Sequence, residues 1–191
     1  PGLSNCDPDY FVAQIYATAL GGGTSSRLFQ EAREKRGLCY SIYAFSNGFQ
    51  DSGFLGVYAG TGESEAGEIA AVIAGEMQAI AANLTEAEVS RARAQLKVSL
   101  LMGMERPGTR AEQITGQLFA LGKVQTAAEI VAQLDAIDAG TVKRYAARVV
   151  EGASLGNGPT IAAVGPVKKL ESQAKFAGRF GASAVGLPDA A

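Results

Sequence analysis

Apolar positions along this chain switch between a helical and a strand period, and the switches mark its elements. Asp7 and Pro8 read as a helix start, with Asp as the expected cap and Pro in the first turn. Phe11, Val12, Ile15, Tyr16, Ala19 and Leu20 then recur at helical spacing until Gly21, Gly22 and Gly23 end the helix and open a tight turn. A second helix is predicted over 24–36. Leu28, Phe29 and Ala32 are its inner stripe, Gln30, Glu31, Glu34 and Lys35 its solvated side, and Gly37 its stop. Residues 39–46 and 53–61 are rich in aromatic and β-favouring types, and the linker NGFQDS suits an antiparallel hairpin. On a regular first strand Tyr40, Ile42 and Ala44 share one face, and Cys39, Ser41, Tyr43 and Phe45 the other. Neither face is polar, so both are expected to be at least partly covered.

Helical spacing dominates from there. Ser64 is expected to cap a long helix with Ile69, Val72, Ile73, Met77 and Ile80 inside, broken at Asn83-Leu84. Thr85-Glu86-Ala87-Glu88 reads as a capping box before Val89, Ala92, Leu96 and Leu100. Arg106-Pro107-Gly108 marks a kink or loop. A helix over 113–121 carries Ile114, Leu118 and Phe119 and stops at Gly122. Thr126 to Glu129 is a second capping box, leading into Ile130, Val131 and Leu134. Asp138 caps a helix bearing Val142, Tyr145 and Val149. Asn157-Gly158-Pro159 is a turn, 160–165 (TIAAVG) a short buried strand, 168–179 a last helix and 181–191 a frayed tail. The order predicts an α+β fold, a largely antiparallel sheet backed by helices. Residues 1–191 read as one domain with a soft internal boundary near 106–108. The opening Pro1 to Cys6 reads as a loop that follows a missing first strand, as in a fragment of a longer chain.

Composition narrows the chemistry. Of 191 residues, 47% are apolar, enough for a proper core, and the net charge of −2 argues against nucleic acid. No apolar run reaches membrane-span length and no secretory signal opens the chain. Cys6 and Cys39 make no disulfide framework and read as free thiols in a reducing compartment. There is no histidine, which removes the Ser-His-Asp and Cys-His triads and every histidine-bearing zinc site.

Few side chains stand out as chemistry. Gly21-Gly22-Gly23-Thr24 follows a helix rather than a strand and lacks the lysine of a phosphate loop, so it reads as a plain turn. Glu31, Glu34 and Glu63, and Lys97, Lys123, Lys168 and Lys169, read as solvated helix or loop residues. Arg33 and Tyr40 differ. One lies near a helix end, the other near the start of the next strand, with the Gly37 reversal between them. Such a fold-back can bring a guanidinium and a phenol to one edge, where both donate to a carbonyl oxygen. Spacing alone leaves an ordinary surface arginine and a half-buried tyrosine as the default.

The run LGGGTSSRLFQEAREKRGLCYSIYAF, followed by Asp51-Ser52-Gly53-Phe54-Leu55-Gly56, resembles zinc metallopeptidases of the pitrilysin, insulysin and mitochondrial processing peptidase type. The likeness runs from about residue 7 to residue 165, ending on Ala-Ala-Val-Gly-Pro at 162–166, and is closest to the processing peptidase β subunit and its bacterial relatives. It implies a half-domain of the LuxS and processing-peptidase type, the C-terminal half of a clamshell that closes on a peptide. In that family Zn2+ sits in the N-terminal half, on an inverted His-x-x-Glu-His motif. The metal-free half of active members contributes an arginine and a tyrosine seven residues apart. Arg33 and Tyr40 match that pair and become the implied catalytic and substrate-binding residues, with no metal held by this chain.

The implied partners are a peptide substrate and a zinc-bearing N-terminal half or homologous subunit, as a dimer, with neither nucleic acid nor membrane. The implied compartment is bacterial cytoplasm or mitochondrial matrix. The resemblance also covers non-catalytic homologues, respiratory-complex core subunits and inactive partner subunits with structural or substrate-presenting roles. A small-molecule module using the glycine turn as an anion site is a third reading.

Overall fold

The computed structural model describes residues 1–154 and 158–181. Its centre is α1 (Tyr10–Gly21), a helix so uniformly apolar that it is covered nearly all round. Ile15, Tyr16 and Leu20 are fully buried, and each burial is worth about 1.5–3 kcal/mol. A π-helical segment (Phe29–Lys35) follows, then β1 (Cys39–Gly48) and β2 (Gly53–Thr61). The remainder is helical: α2 (Ala66–Asn83), α3 (Glu86–Met104), α4 (Pro107–Leu121), α5 (Ala127–Asp135), α6 (Ala139–Ser154) and α7 (Gln173–Gly178).

The fold is α+β, with helices backing a two-stranded antiparallel sheet. The hairpin pairs in register from Gly48 opposite Gly53 to Ile42 opposite Ala59, and shifts between Cys39 and Ser41. Its inner face rests on α1, where the Gln14 side-chain amide donates to the Ser46 carbonyl at 2.8 Å. Gly21 permits that approach. A Cβ there would collide with the Ala44 backbone nitrogen and lie 2.8 Å from the Ala44 Cβ.

Both predicted capping boxes form, at Thr85/Glu88 and Thr126/Glu129. Asp138 caps α6 by accepting from the Thr141 N–H at 2.7 Å. Ser64 does not cap α2. Its hydroxyl donates to Glu65 instead, and α2 starts after Glu65. The predicted inner stripe of α4 is also corrected. Leu118 and Phe119 are 50% and 79% exposed, and no residue of α4 is buried. A helix joined to the core mainly along its α3 side has nothing to bury its second apolar edge against. The last helix is shorter than predicted because Ser172 caps it, accepting from the Lys175 N–H.

Residues 160–165 are not a buried strand. Apart from Ile161, which rests near Ala70, Ala74, Phe176 and Phe180, the segment is open to solvent. Among the described residues no strand edge pairs with it, and an extended segment without a ladder partner leaves its backbone to water. Asn157 and residues 182–191 of the predicted tail lie outside the described residues.

Arg27 ties the turn after α1 to the helical layer. It donates to both Glu88 carboxylate oxygens, at 2.7 and 3.0 Å, and to the Asn83 side chain at 2.5 Å. Partial burial alone would raise the Glu88 pKa, but the hydrogen bonds from Arg27 and Thr85 outweigh it and hold it at about 2. A carboxylate held below its ordinary value stabilises the fold above that value and loses this contribution as pH falls towards the folded one. Urea melts should therefore show stability falling between about pH 5 and pH 2, more steeply than in Glu88→Gln. Equal pH slopes would remove Glu88 from this role.

Candidate functional site

Arg33 and Tyr40 come together at the corner where the π-helical segment turns into β1. The chain first reverses at Gly37, whose φ of 63° lies in the left-handed region that glycine tolerates. Two backbone bonds close the reversal: Gly37 N–H to the Arg33 carbonyl at 3.1 Å, and Leu38 N–H to the Ala32 carbonyl at 2.8 Å. Leu38 and Cys39 then dive into the core. The Thr61 hydroxyl donates to the Leu38 carbonyl at 2.6 Å and holds the corner to the end of β2. The wider helical turn is itself notable, since π-type turns recur at functional positions.

A β-bulge decides where Tyr40 points. Cys39 stands opposite Thr61 and Ser41 opposite Gly60, leaving Tyr40 as the extra residue. A regular alternation places Tyr40 on the face of Ile42 and Ala44. The bulge instead sends Cys39 inward with those two and turns Tyr40 outward beside Ser41, Tyr43 and Phe45, to 86% exposure. Spacing along the sequence carries no sign of the bulge.

Arg33 fills the space beside it. Its guanidinium carbon lies 4.6 Å from the Phe29 ring centroid and 5.6 Å from that of Tyr40. Stacking of this kind holds the guanidinium plane while leaving N–H edges free to donate. The acidic neighbour Glu34 is 3.9 Å away and more than half exposed, a weak surface pair. Burial pushes the Cys39 thiol pKa up, while the nearby Arg33 charge pulls it down. The corner thus presents a stacked, half-exposed guanidinium and an exposed phenol side by side. Both can donate to an oxygen brought from outside, and neither is occupied by a buried carboxylate. Phe29, which the sequence offers only as a core residue, is the third member of this stack.

The other charged residues stay in ordinary roles. Glu31 pairs with Lys35, Lys97 with Asp135 at 2.6 Å, and Glu63, Lys123, Lys168 and Lys169 are exposed. At the glycine turn the Gly22 oxygen accepts from Gln95 and the Gly23 oxygen from the Ser26 hydroxyl at 2.6 Å, so both carbonyls are engaged within the chain. An open cleft of about 530 Å³ beside that turn is lined by Ser25, Arg27, Gln30, Glu31, Glu76 and Glu88, and its arginine is already engaged by Glu88. Burial, then the Glu31 charge, raises the Glu76 pKa there, against Arg27, Lys35 and Arg36.

The donor set does not fit zinc. The chain has no histidine, Cys6 hydrogen-bonds the Ala120 carbonyl, and Cys39 is buried. Among the described residues no cluster of three or more candidate ligands could hold a metal ion, and no helix is long and apolar enough to cross a membrane.

Residues 1–96 match the family described as the Peptidase M16 inactive domain. The chain is 36% identical over 173 residues to an uncharacterized zinc protease of Streptomyces coelicolor, covering 90% of this chain and 37% of that protein. It is 34% identical over 184 residues to a probable mitochondrial-processing peptidase subunit beta of Arabidopsis thaliana, covering 92% of this chain and 34% of the relative. The chain therefore spans about a third of the curated relatives it matches. Among solved structures, a chain of complex III2 from Candida albicans superposes with a TM-score of 0.81 at 21% identity, over 94% of this chain and 44% of that one. A conserved protein of Enterococcus faecalis gives 0.67 at 26% identity, over 76% of this chain and 34% of that one.

Proposed function

Because the chain belongs to the M16 peptidase family, through that family's inactive domain, we propose that it is the substrate-holding half of a zinc endopeptidase. The metal site lies in a companion half, within the same protein or in a homologous subunit with which it dimerises. The observation that carries this reading is the corner itself: a ring-stacked Arg33 and a bulge-exposed Tyr40, adjacent and open to an incoming peptide.

Each residue has a chemical task. The Arg33 guanidinium binds a peptide carbonyl through its N–H edge and fixes the backbone in place. The Tyr40 hydroxyl donates to the same region, and both donors meet the negative charge that grows on a carbonyl oxygen during acyl chemistry. As these groups sit on one jaw, closure of the two halves completes the site. This half contributes grip and charge stabilisation, and alone it cuts nothing. Zinc proteases of bacteria and a processing peptidase among the relatives support the reading and fit a bacterial cytoplasm or a mitochondrial matrix.

The second reading is a non-catalytic homologue in a structural or substrate-presenting role, favoured by the superposition on a complex III chain, a likeness of fold. A cleavage assay of the full-length protein separates the two. Peptide cleavage that a zinc chelator abolishes and added zinc restores is the expected result. No cleavage across a diverse peptide library would favour the non-catalytic reading.

A further inference from the structure

Apolar composition predicts cover on both faces of the hairpin, yet the outward face is open. Tyr43 and Tyr58 stack at 5.0 Å between centroids, Tyr43 lies 5.9 Å from Phe45, Phe45 meets Phe54 edge-on at 5.6 Å, and Phe54 stacks on Phe49 at 6.1 Å. Four of these rings, Tyr43, Phe49, Phe54 and Tyr58, are 42–55% exposed. Gly56 leaves room for the ladder: a Cβ there would run into the Phe45 ring, which lies over it. Neither strand carries an aspartate, glutamate, lysine or arginine.

We propose that this ladder is a peptide-binding strip, selecting an extended segment with large uncharged, above all aromatic, side chains and leading it to the Arg33–Tyr40 corner. The proposal rests on the reading of that corner as the peptide grip. What ties the two is continuity. The bulge turns Tyr40 onto the same face as Tyr43 and Phe45. The Tyr58 hydroxyl lies 3.6 Å, and the Ser41 hydroxyl 2.8 Å, from where a Cβ on Gly60 would stand, and Gly60 is the residue opposite Ser41 at the bulge. The ladder therefore reaches Ser41 and Gly60, and Ser41 is the chain neighbour of Tyr40 at the bulge.

Length and charge define the occupant. Strands of this size rise roughly 25 Å, the span of about eight extended residues, and alternate residues of such a peptide would face the rings. An aromatic or aliphatic side chain gains ring contact there. An acidic or basic one would lose water and find no partner along either strand.

The test uses the full-length protein and two fluorescein-labelled nine-residue peptides, one alternating phenylalanine with serine and the other alternating aspartate with serine. Anisotropy titration should give about tenfold tighter binding of the phenylalanine probe or better. Tyr43→Ser with Tyr58→Ser should abolish that preference while leaving the aspartate probe unchanged. Should the pair melt early, Tyr58→Ser alone carries the same expectation. Unaltered preference in a folded strip variant overturns the proposal. So does a change of oligomeric state by sedimentation with preference intact, which would make the strip a contact between copies. Arg33→Ala separates the two ideas: it should weaken both probes alike. If it weakens neither while the strip variants lose preference, the grip reading fails and the strip stands.

Discussion

In the full-length protein, Arg33→Ala is expected to lower peptide turnover by about 10²–10³-fold, the usual cost of removing a positioned oxyanion donor. The expectation follows from the corner's geometry. The guanidinium is held between the Phe29 and Tyr40 rings, so its donors are set before substrate arrives and little ordering is left to the reaction. Tyr40→Phe keeps the ring that Arg33 stacks on and removes one hydroxyl, so its loss isolates the donor from the packing. About 10²-fold is expected. Arg33→Lys should recover only part of the activity, because an ammonium neither stacks as a plane nor offers a fork. Neither substitution should shift the melting temperature much, since both side chains are largely outside the core. Near-normal cleavage by the Arg33→Ala/Tyr40→Phe double variant would strip both residues of any part in gripping the peptide or stabilising its oxyanion.

The second large effect concerns stability. Gly21→Ala should destabilise the fold by about 2–3 kcal/mol, an overpacking cost with no flexible neighbour to absorb it. The added methyl meets the Ala44 backbone, so α1 must move off β1. For a chain of this size that is a fall in Tm of roughly 5–10 °C. Gly75→Ala in α2 is the control. Nothing lies within 4 Å of its missing Cβ, and a helix-interior alanine should stabilise by about 0.5–1 kcal/mol. A Gly21→Ala protein that melts with the wild type would show that α1 and β1 do not sit as described.

Much of the site is written in local signals. The helical segment before Gly37, the glycine stop and the hairpin follow from periodicity and glycine placement, and both capping boxes from their Thr-x-x-Glu spacing. Those signals are short-range, so a sequence carries them whole. The exposure of Tyr40 is not legible in this way, because a bulge is a property of the pairing between two strands. Alternation counted along β1 alone puts Tyr40 on the wrong face. The strand expected at 160–165 is absent for a related reason. Apolar, β-favouring composition makes a strand only where an edge receives it. Leu118 and Phe119 look like a buried stripe on periodicity, but periodicity does not say what lies opposite. The open aromatic face of the hairpin escapes the same kind of reading, since rings that a core would bury are also rings that a ligand surface uses.

The most direct measurement is a crystal structure of the full-length protein holding an uncleaved peptide. The expected result is a peptide carbonyl oxygen within about 3 Å of both the Arg33 guanidinium and the Tyr40 hydroxyl. A peptide seated elsewhere, with those two side chains left facing open solvent, would contradict it.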